Sequence, residues 1–307
     1  MPARPRRSVL YLPASNLRAL AKARTLAADA IIVDLEDSVA PDQKPAARAA
    51  AVEAIRTGGF GSREVVLRIN GLHTPWGADD LEAAIAAAPD AILLPKVDGP
   101  GTIMVAARAI NEAGAPERTR LWATIETPMA ILSVGSIAAT AADPDSRLEV
   151  LVMGLNDLVK ETRVRMKPGR PAAIAWLSMC VVAARAHGCD IVDGVFNDFN
   201  DSVGFKAECE QGRDLGLDGK TLIHPNQIDV CNATFAPSAA EIETARAIIA
   251  AFALPENSGR GAIQLDGKMV ELLHADMARR TLAVAEGIEA LEGATEEASN
   301  RLRRSSL

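Results

Sequence analysis

The sequence predicts an eight-stranded (β/α)8 barrel. Short apolar, β-branched runs recur along the chain, and Ala-rich segments of helical character lie between them. Continuous apolar runs of about four to six residues are typical of strands buried on both faces, as in parallel sheets. Eight such runs within about 215 residues match a barrel in strand number and length. A doubly wound open sheet is the alternative, but it usually has fewer strands and often a Gly-rich fingerprint.

The predicted elements alternate regularly along the first three quarters of the chain. Strands are predicted at residues 9–12, 30–35, 64–69, 91–95, 120–125, 148–153, 189–193 and 220–223. Helices are predicted at residues 16–28, 42–57, 78–88, 101–113, 128–141, 171–187 and 203–214. Each helix lies between two strands, which is the arrangement that parallel neighbouring strands require.

The last quarter of the chain has a different pattern. Ser238-Ala-Ala-Glu241 is a capping box that begins a helix, and this helix ends before Pro255. Residues 262–270 predict a hairpin with Asp266-Gly267 as its turn, and a final helix is predicted over 271–292. We therefore expect a barrel domain over residues 1–236, a helix–hairpin–helix extension over 237–293 and a flexible tail over 294–307.

Composition and charge exclude several classes of protein. The 307 residues include 40 acidic and 33 basic side chains, so the net charge is −7, and only 3% are aromatic. Both values argue against nucleic-acid binding. No apolar stretch approaches the ~18 residues of a membrane helix, and the run after the basic N-terminus is too short for a signal peptide. The four cysteines form no CxxC pair, so we expect reduced thiols in a cytoplasmic protein that binds neither nucleic acid nor membranes.

Polar side chains follow most of the predicted strands. Catalytic groups of such barrels lie at or just beyond the carboxyl ends of the strands. The polar groups at these positions are Asp34, Glu36, Asp37, Arg68, Asn70, Lys96, Glu126, Asn156, Asp157, Asp193, Asn197, Asp198 and His224. Carboxylates, an arginine and a lysine at one rim of the barrel indicate an active site.

Glu126 and Asp157 follow neighbouring strands, so both can reach one point near the barrel axis. Two carboxylates without converging histidines favour a hard divalent cation, Mg²⁺ or Mn²⁺, whose remaining ligands are water and substrate oxygens. The alternative is that each carboxylate caps the helix that follows it. Spacing alone does not decide between these two roles.

Arg68 emerges from a buried strand and is suited to binding a carboxylate or an enolate through two hydrogen bonds. Its alternative role is a structural ion pair with Glu36, which could also hold a metal-bound water. Asp34 and Asp37 are expected to make local hydrogen bonds. Lys96 could orient the carboxylates or carry charge itself, and no spacing distinguishes these roles.

Several of these segments together resemble one enzyme family. Residues 7–16, 33–39, 67–70, 94–97, 125–128, 193–194, 205–208 and 219–228 occur in the right order. In sequence they are similar to the citrate lyase beta chain and its CoA-ester lyase relatives, such as malyl-CoA and citramalyl-CoA lyases, in the HpcH/HpaI aldolase superfamily. The similarity covers roughly residues 7 to 280. It implies a TIM barrel, Mg²⁺ and a homo-oligomer, either a trimer or a hexamer.

The resemblance also assigns roles to residues. It implies that Glu126 and Asp157 hold the metal, that Arg68 grips the substrate, and that Glu36 is a supporting carboxylate. Residues 266–271 resemble a family segment whose carboxylate completes a neighbouring subunit's site. Here that acid is Glu271 rather than the usual Asp. Asn156 is a second departure, because many relatives have Glu immediately before the metal aspartate.

From this resemblance we expect a Mg²⁺-dependent carbon–carbon lyase. It would cleave or form a 3-hydroxyacyl-CoA thioester, with acetyl-CoA or a related acyl-CoA and a 2-oxo acid such as glyoxylate or pyruvate as the other species. Arg68, Glu126 and Lys96 would bind the substrate, Arg68 would stabilise the thioester enolate, and Glu271 would exchange its proton. The alternatives are a malyl-CoA-type thioesterase and a citrate lyase beta subunit that needs partner chains.

Overall fold

The computed structural model describes residues 4–305, with side chains described through residue 294. Eight parallel strands form a closed barrel in sequence order, and the last pairs with the first, so the predicted (β/α)8 barrel is confirmed. These strands are β1 (Ser8–Pro13), β2 (Ala30–Asp34), β3 (Glu64–Arg68), β4 (Ala91–Leu94), β5 (Arg120–Ile125), β6 (Leu148–Met153), β7 (Asp190–Asp193) and β8 (Gly219–Leu222).

Helices follow every strand of the barrel and cover its outer surface. They are α1 (Leu17–Ala23), α2 (Lys44–Thr57), α3 (Gly77–Ala87), α4 (Pro100–Glu112), α5 (Pro128–Ala139), α6 (Leu155–Thr162), α7 (Ile174–His187), α8 (Ser202–Asp214) and α9 (Ile228–Phe235). The bounds predicted for β5 and β6 are confirmed to the residue. The short helix α6 is absent from the predicted helices, although the alternative role of Asp157 as a helix cap implies a helix after it. The helix begins earlier, directly after β6, so its N-cap is Gly154 and Asp157 lies in its first turn.

The barrel interior is apolar in its middle and charged at its amino-terminal mouth. Side chains from alternate positions of the strands pack along the axis, among them Ile32, Trp122 and Val152. The guanidinium of Arg6 lies at the amino-terminal mouth, 2.7 Å from Glu64 and 2.5 Å from Asp190. This ion cluster lies at the end of the barrel opposite the predicted site.

The chain divides into two compact units, one of residues 6–235 and one formed by residues 236–305 with residues 4–5. The second unit contains α10 (Ala239–Ala253), an antiparallel hairpin of β9 (Ala262–Leu265) and β10 (Lys268–Glu271), and α11 (Leu272–Ser305). The capping box at Ser238 and the Asp266-Gly267 turn are confirmed. Because residues 294–305 are rich in Ala, Glu and Arg, which favour helices, α11 continues past the predicted end at 292. The predicted tail over 294–307 is thus helical to Ser305, and residues 306 and 307 lie outside the described residues.

No helix between residues 4 and 305 combines the length and the apolar character needed to cross a membrane. The four cysteines, Cys180, Cys189, Cys209 and Cys231, are all buried and unpaired. Burial raises the pKa of the Cys180 thiol to about 12, so this thiol stays protonated and behaves as an apolar core side chain.

Candidate active site

Arg68 is held at the carboxyl-terminal mouth by a paired contact with Asp34. The two residues end neighbouring strands and lie opposite each other in the register of β2 and β3. Arg68 Nε donates to Asp34 Oδ1 at 2.6 Å, and Nη2 donates to Oδ2 at 2.7 Å. Burial alone would raise the pKa of Asp34, but the charge of Arg68 and its hydrogen bonds lower it below the ordinary value. Asp34 is therefore ionised and fixes the plane of the guanidinium.

Asp34 also makes the local hydrogen bonds that the sequence predicts, since its carboxylate accepts from the backbone N–H groups of Glu36 and Ser38. The prediction was incomplete, because the stronger contact is with Arg68. Asp37 is mostly exposed and lies 3.4 Å from Arg68 Nη1. Asp37 thus lies at the edge of the group formed by Asp34, Glu36 and Arg68.

Glu36 faces the side of Arg68 that Asp34 leaves free. Its Oε2 lies 2.9 Å from Arg68 Nη1, which is an ion-pair distance without the alignment of a hydrogen bond. This buried oxygen therefore has no hydrogen-bond partner among the described residues. Burial raises the pKa of Glu36 to about 8; the charge of Arg68 opposes this rise, whereas the charges of Glu126 and Asp37 add to it. Glu36 consequently holds a proton at neutral pH.

Glu126 follows β5 directly and points into the mouth of the barrel, where it is 2% exposed. A side chain at Gly154, the residue after β6, would occupy the same space. An added Cβ at Gly154 would lie 2.3 Å from Glu126 Cβ and 2.8 Å from Oε2. Burial raises the pKa of Glu126 to about 7, and the nearby ammonium of Lys96 opposes this rise.

Lys96 joins Glu126 to Asp157. Its Nζ lies 2.7 Å from Asp157 Oδ2 and 3.6 Å from Glu126 Oε1, so both carboxylates reach one cationic atom. Its backbone N–H also donates to Glu126 Oε1 at 2.7 Å. The helix-cap alternative is wrong for Glu126, because α5 is capped by Thr127, whose hydroxyl accepts from the backbone N–H of Ala130.

The donor set fits a magnesium ion better than a transition metal. Glu126 and Asp157 offer carboxylate oxygens at one point, and the absent side chain of Gly154 leaves room beside Glu126 Oε2. Within the described part of the chain, no group of three or more His, Cys, Asp and Glu side chains could enclose a metal ion. A site with two protein carboxylates is typical of Mg²⁺, which keeps water and substrate oxygens as its other ligands.

The other predicted site residues lie further out or in the second unit. Asn156 exchanges hydrogen bonds with Asn197 at 2.8 and 3.2 Å on the exposed rim. Glu271 ends β10 in the second unit, where its backbone N–H donates to His274 Nδ1 at 3.0 Å. The roles of Asn156 in substrate choice and of Glu271 in proton transfer stay predictions.

Sequence reasoning missed two buried groups near this site. Tyr11, on β1, has its ring 4.8 Å from the Arg68 guanidinium, in a cation–π contact. Thr124, two residues before Glu126, has a buried hydroxyl with no partner among the described residues. Alternation along β1 and β5 would place both side chains inside the barrel, which is the signal that could have found them.

Similarity to known proteins identifies the family of this chain. The family model described as HpcH/HpaI aldolase/citrate lyase matches residues 7–225. The chain belongs to the HpcH/HpaI aldolase/citrate lyase family. This result confirms the family resemblance inferred from the sequence.

Individual family members are similar over nearly the whole chain. A (3S)-malyl-CoA thioesterase of Cereibacter sphaeroides is 51% identical over 288 residues, which cover 94% of this chain and 97% of the relative. The citrate lyase subunit beta of Escherichia coli is 33% identical and covers 96% of each chain. Among solved structures, the protein CitE of Mycobacterium tuberculosis in complex with magnesium, acetoacetate and coenzyme A is 30% identical. Its TM-score is 0.70, and the match covers 92% of this chain and 98% of that one.

Proposed function

We propose that this protein is a magnesium-dependent enzyme that hydrolyses a malyl-CoA-type 3-hydroxyacyl-CoA thioester. The observation that carries the choice of reaction is the 51% identity to a (3S)-malyl-CoA thioesterase across almost the full length of both chains. The likeness to CitE in complex with magnesium and coenzyme A supports the same metal and the same type of substrate. Mn²⁺ is proposed as a substitute for Mg²⁺, because both ions prefer oxygen ligands.

Glu126 and Asp157 would hold the metal, and the proposed substrate would approach it through its hydroxyl and carboxylate oxygens. Magnesium at this position supplies Lewis-acid chemistry to those oxygens. The Lys96 ammonium lies beside both carboxylates, so it could also bind a negatively charged substrate at the same rim of the barrel. Because Glu126 is buried, its side of the site is shielded from bulk water.

Arg68 and Glu36 would act on the thioester. In hydrolysis, water adds to the thioester carbonyl carbon, the C–S bond breaks, and CoA leaves as a thiol beside a free carboxylate. Negative charge builds on the carbonyl oxygen in this step, and the Arg68 guanidinium, fixed by Asp34, is suited to stabilise it. Glu36 holds a proton at a buried oxygen without a partner, so it can donate a hydrogen bond to the substrate.

Carbon–carbon cleavage, the reaction expected from the sequence, is the second candidate. There the bond between C2 and C3 of the acyl group breaks, the hydroxyl loses its proton, and the thioester enolate takes one up. The same Arg68 would stabilise the enolate oxygen. The 33% identity to citrate lyase subunit beta, over 96% of each chain, favours this reading.

Product analysis separates the candidates. The purified chain is incubated with (3S)-malyl-CoA and, separately, with citramalyl-CoA, each with Mg²⁺ and with a chelator. Hydrolysis releases CoA thiol and malate without glyoxylate, whereas cleavage releases glyoxylate and acetyl-CoA without free thiol. A rate that the chelator leaves unchanged would contradict the metal site. A chain inactive on every free CoA ester would contradict both reactions and point to a citrate lyase subunit that needs partner chains.

Glu271 is proposed as a proton-transfer group that a neighbouring chain supplies in a trimer or hexamer. Co-expression of Arg68→Met and Glu271→Gln chains tests this idea, because each mixed oligomer can combine an intact Arg68 with an intact Glu271. With random mixing, about a quarter of the sites would be intact. Recovery of activity in the mixture, from two inactive variants, is the expected result. No recovery in a mixed oligomer confirmed by mass would contradict a shared site.

We also propose a cytoplasmic location. The four buried, unpaired cysteines support it, because a reducing compartment keeps such thiols free of disulfides. Fractionation of cells that express the tagged full chain would test the location.

A further inference from the structure

The ammonium of Lys96 lies where the proposed metal site needs its own cation. Nζ is 2.7 Å from Asp157 Oδ2 and 3.6 Å from Glu126 Oε1. A magnesium ion bound to both carboxylates would lie about 2.0–2.1 Å from each ligand oxygen. An ion bound through the same two oxygens that contact Lys96 would lie close to Nζ, and a divalent charge beside an ammonium in a partly buried site is strongly repelled.

The Arg68 guanidinium does not compete with the proposed metal ion in this way. Asp34 holds it through two hydrogen bonds, and Glu36 lies 2.9 Å from its remaining edge. Its positive charge is thus balanced by the ionised Asp34 carboxylate. Lys96 is the cation whose only recorded ion pairs, among the described side chains, are with the two proposed metal ligands.

The backbone and the side chain of Lys96 act on Glu126 separately. The backbone N–H donates to Glu126 Oε1 at 2.7 Å, from a residue with a left-handed φ of 52°. This bond orients the carboxylate whatever the side chain does. The side chain is a quarter exposed, and it borders a cavity of about 400 Å³ that is also lined by Leu72, His73, Pro95, Gly101, Thr102 and Val105. The ammonium therefore has space to move away while the backbone stays in place.

We propose that the Lys96 side chain is a tethered counter-cation that the divalent ion must displace, and that its backbone keeps Glu126 oriented during the exchange. The inference rests on the proposed metal site at Glu126 and Asp157. It adds that the affinity of this site is set by a competition inside the chain. The displaced ammonium would move into the adjoining cavity, at the rim where the substrate binds.

The test is the affinity of the purified full chain for Mn²⁺ and for Mg²⁺, measured by titration calorimetry without substrate. Lys96→Met removes the charge and keeps the backbone N–H. We expect it to bind each ion about tenfold more tightly than the unsubstituted chain, since loss of a competing ion pair is worth about that factor. Lys96→Arg keeps a positive charge and should bind no more tightly than the unsubstituted chain.

Lys160→Met is the matched control. This exposed lysine lies on α6, one turn beyond Asp157, so the variant removes a positive charge from the same helix. Its affinity for either ion should stay within about twofold of the unsubstituted chain, because exposed charges are well screened. An equal gain in Lys160→Met and Lys96→Met would show a general charge effect and overturn the proposal.

Thermal unfolding gives a second readout that does not depend on activity. Without a divalent ion, Lys96→Met leaves Glu126 buried without its ammonium, so its unfolding temperature should fall. Addition of Mn²⁺ should then raise that temperature more in Lys96→Met than in the unsubstituted chain. If the unsubstituted chain binds Mn²⁺ and Lys96→Met binds it equally or more weakly, the displacement is wrong while the metal site stands. If neither chain binds either ion, the metal site itself is wrong.

Discussion

Asp34 and Arg68 form a two-bond ion pair between neighbouring strands at the mouth of the barrel. The bonds measure 2.6 and 2.7 Å, and both side chains are buried. Paired N–H···O bonds of this kind restrict the plane of a guanidinium as well as its position. The orientation of the Arg68 guanidinium therefore depends on Asp34, and so does the role proposed for Arg68 in substrate binding.

The first prediction concerns Asp34 as a positioning residue. Asp34→Asn removes the charge that fixes Arg68, so kcat should fall by about 10- to 100-fold, because a poorly placed donor stabilises the transition state less. KM should change by less than about threefold. Asp37→Asn is the control, since Asp37 is exposed and 3.4 Å from Arg68, and its kcat should stay within about twofold. Equal effects in the two variants, measured with the substrate that the protein turns over, would contradict the positioning role.

The sequence predicted most of the fold because parallel strands buried on both faces leave a clear apolar signature. The bounds of β5 and β6 were right for this reason. The predicted end of α11 was wrong because Gly293, a residue typical of helix ends, lies inside the helix, and no proline follows it to stop the helix. The short helix α6 was missed because it begins at the strand end without a side-chain cap.

The sequence predicted which residues form the candidate site, but not which of them contact each other. Glu126 and Asp157 follow adjacent strands, so their convergence could be inferred from order alone. The contact between Asp34 and Arg68 depends on the register of β2 against β3, which no local pattern specifies. The place of Lys96 between the two carboxylates depends on its left-handed backbone, and nothing in the sequence around a lysine predicts that conformation.

The second prediction is a pH dependence of stability that arises from Glu36. Burial raises its pKa from the ordinary value of 4.5 to about 8 in the folded protein; the charge of Arg68 opposes this rise, and the charges of Glu126, Asp37 and Asp34 add to it. The folded state thus binds this proton more tightly than the unfolded state does. The resulting stability is fully present below about pH 4.5 and is lost as the pH rises through 8.

Glu36→Gln mimics the protonated side chain and removes this dependence. Its free energy of unfolding, relative to that of the unsubstituted chain, should increase between pH 5 and pH 8 in urea titrations and level off between pH 8 and pH 9. Glu82→Gln, the same substitution on the exposed face of α3, is the control for a general effect of removing one carboxylate. A Glu36→Gln difference that is flat over the same range would show that Glu36 is ionised at neutral pH.

The third prediction concerns a buried ion cluster between the barrel and α8. Lys220 is fully buried, with Nζ 2.9 Å from Asp193 Oδ2 and 2.7 Å from Glu208 Oε1. Lys220→Met leaves these carboxylates short of a cation, so the free energy of unfolding should fall by about 3–5 kcal/mol. Lys206→Met breaks an exposed pair on the same helix and should change it by less than about 0.5 kcal/mol. Denaturant unfolding measures both values, and similar losses in the two variants would contradict a structural role for the cluster.

The fourth prediction tests the fit between Gly154 and Glu126. Gly154 has an ordinary φ of −106°, so an alanine can adopt its backbone. The new methyl group would lie 2.3 Å from Glu126 Cβ and 2.8 Å from Glu126 Oε2, with Thr124 Cγ2 further away at 3.1 Å, so the main clash is with Glu126. Gly154→Ala should push the carboxylate aside and weaken Mn²⁺ binding by at least about tenfold, because a metal site tolerates little displacement of a ligand. Gly135→Ala is the control: it lies within α5 with nothing within 4 Å of its added Cβ, so Mn²⁺ affinity should be unchanged. Titration calorimetry compares the two variants, with circular dichroism to verify that both are folded. If folded Gly154→Ala binds Mn²⁺ as tightly as the unsubstituted chain, Glu126 is not a ligand of the metal.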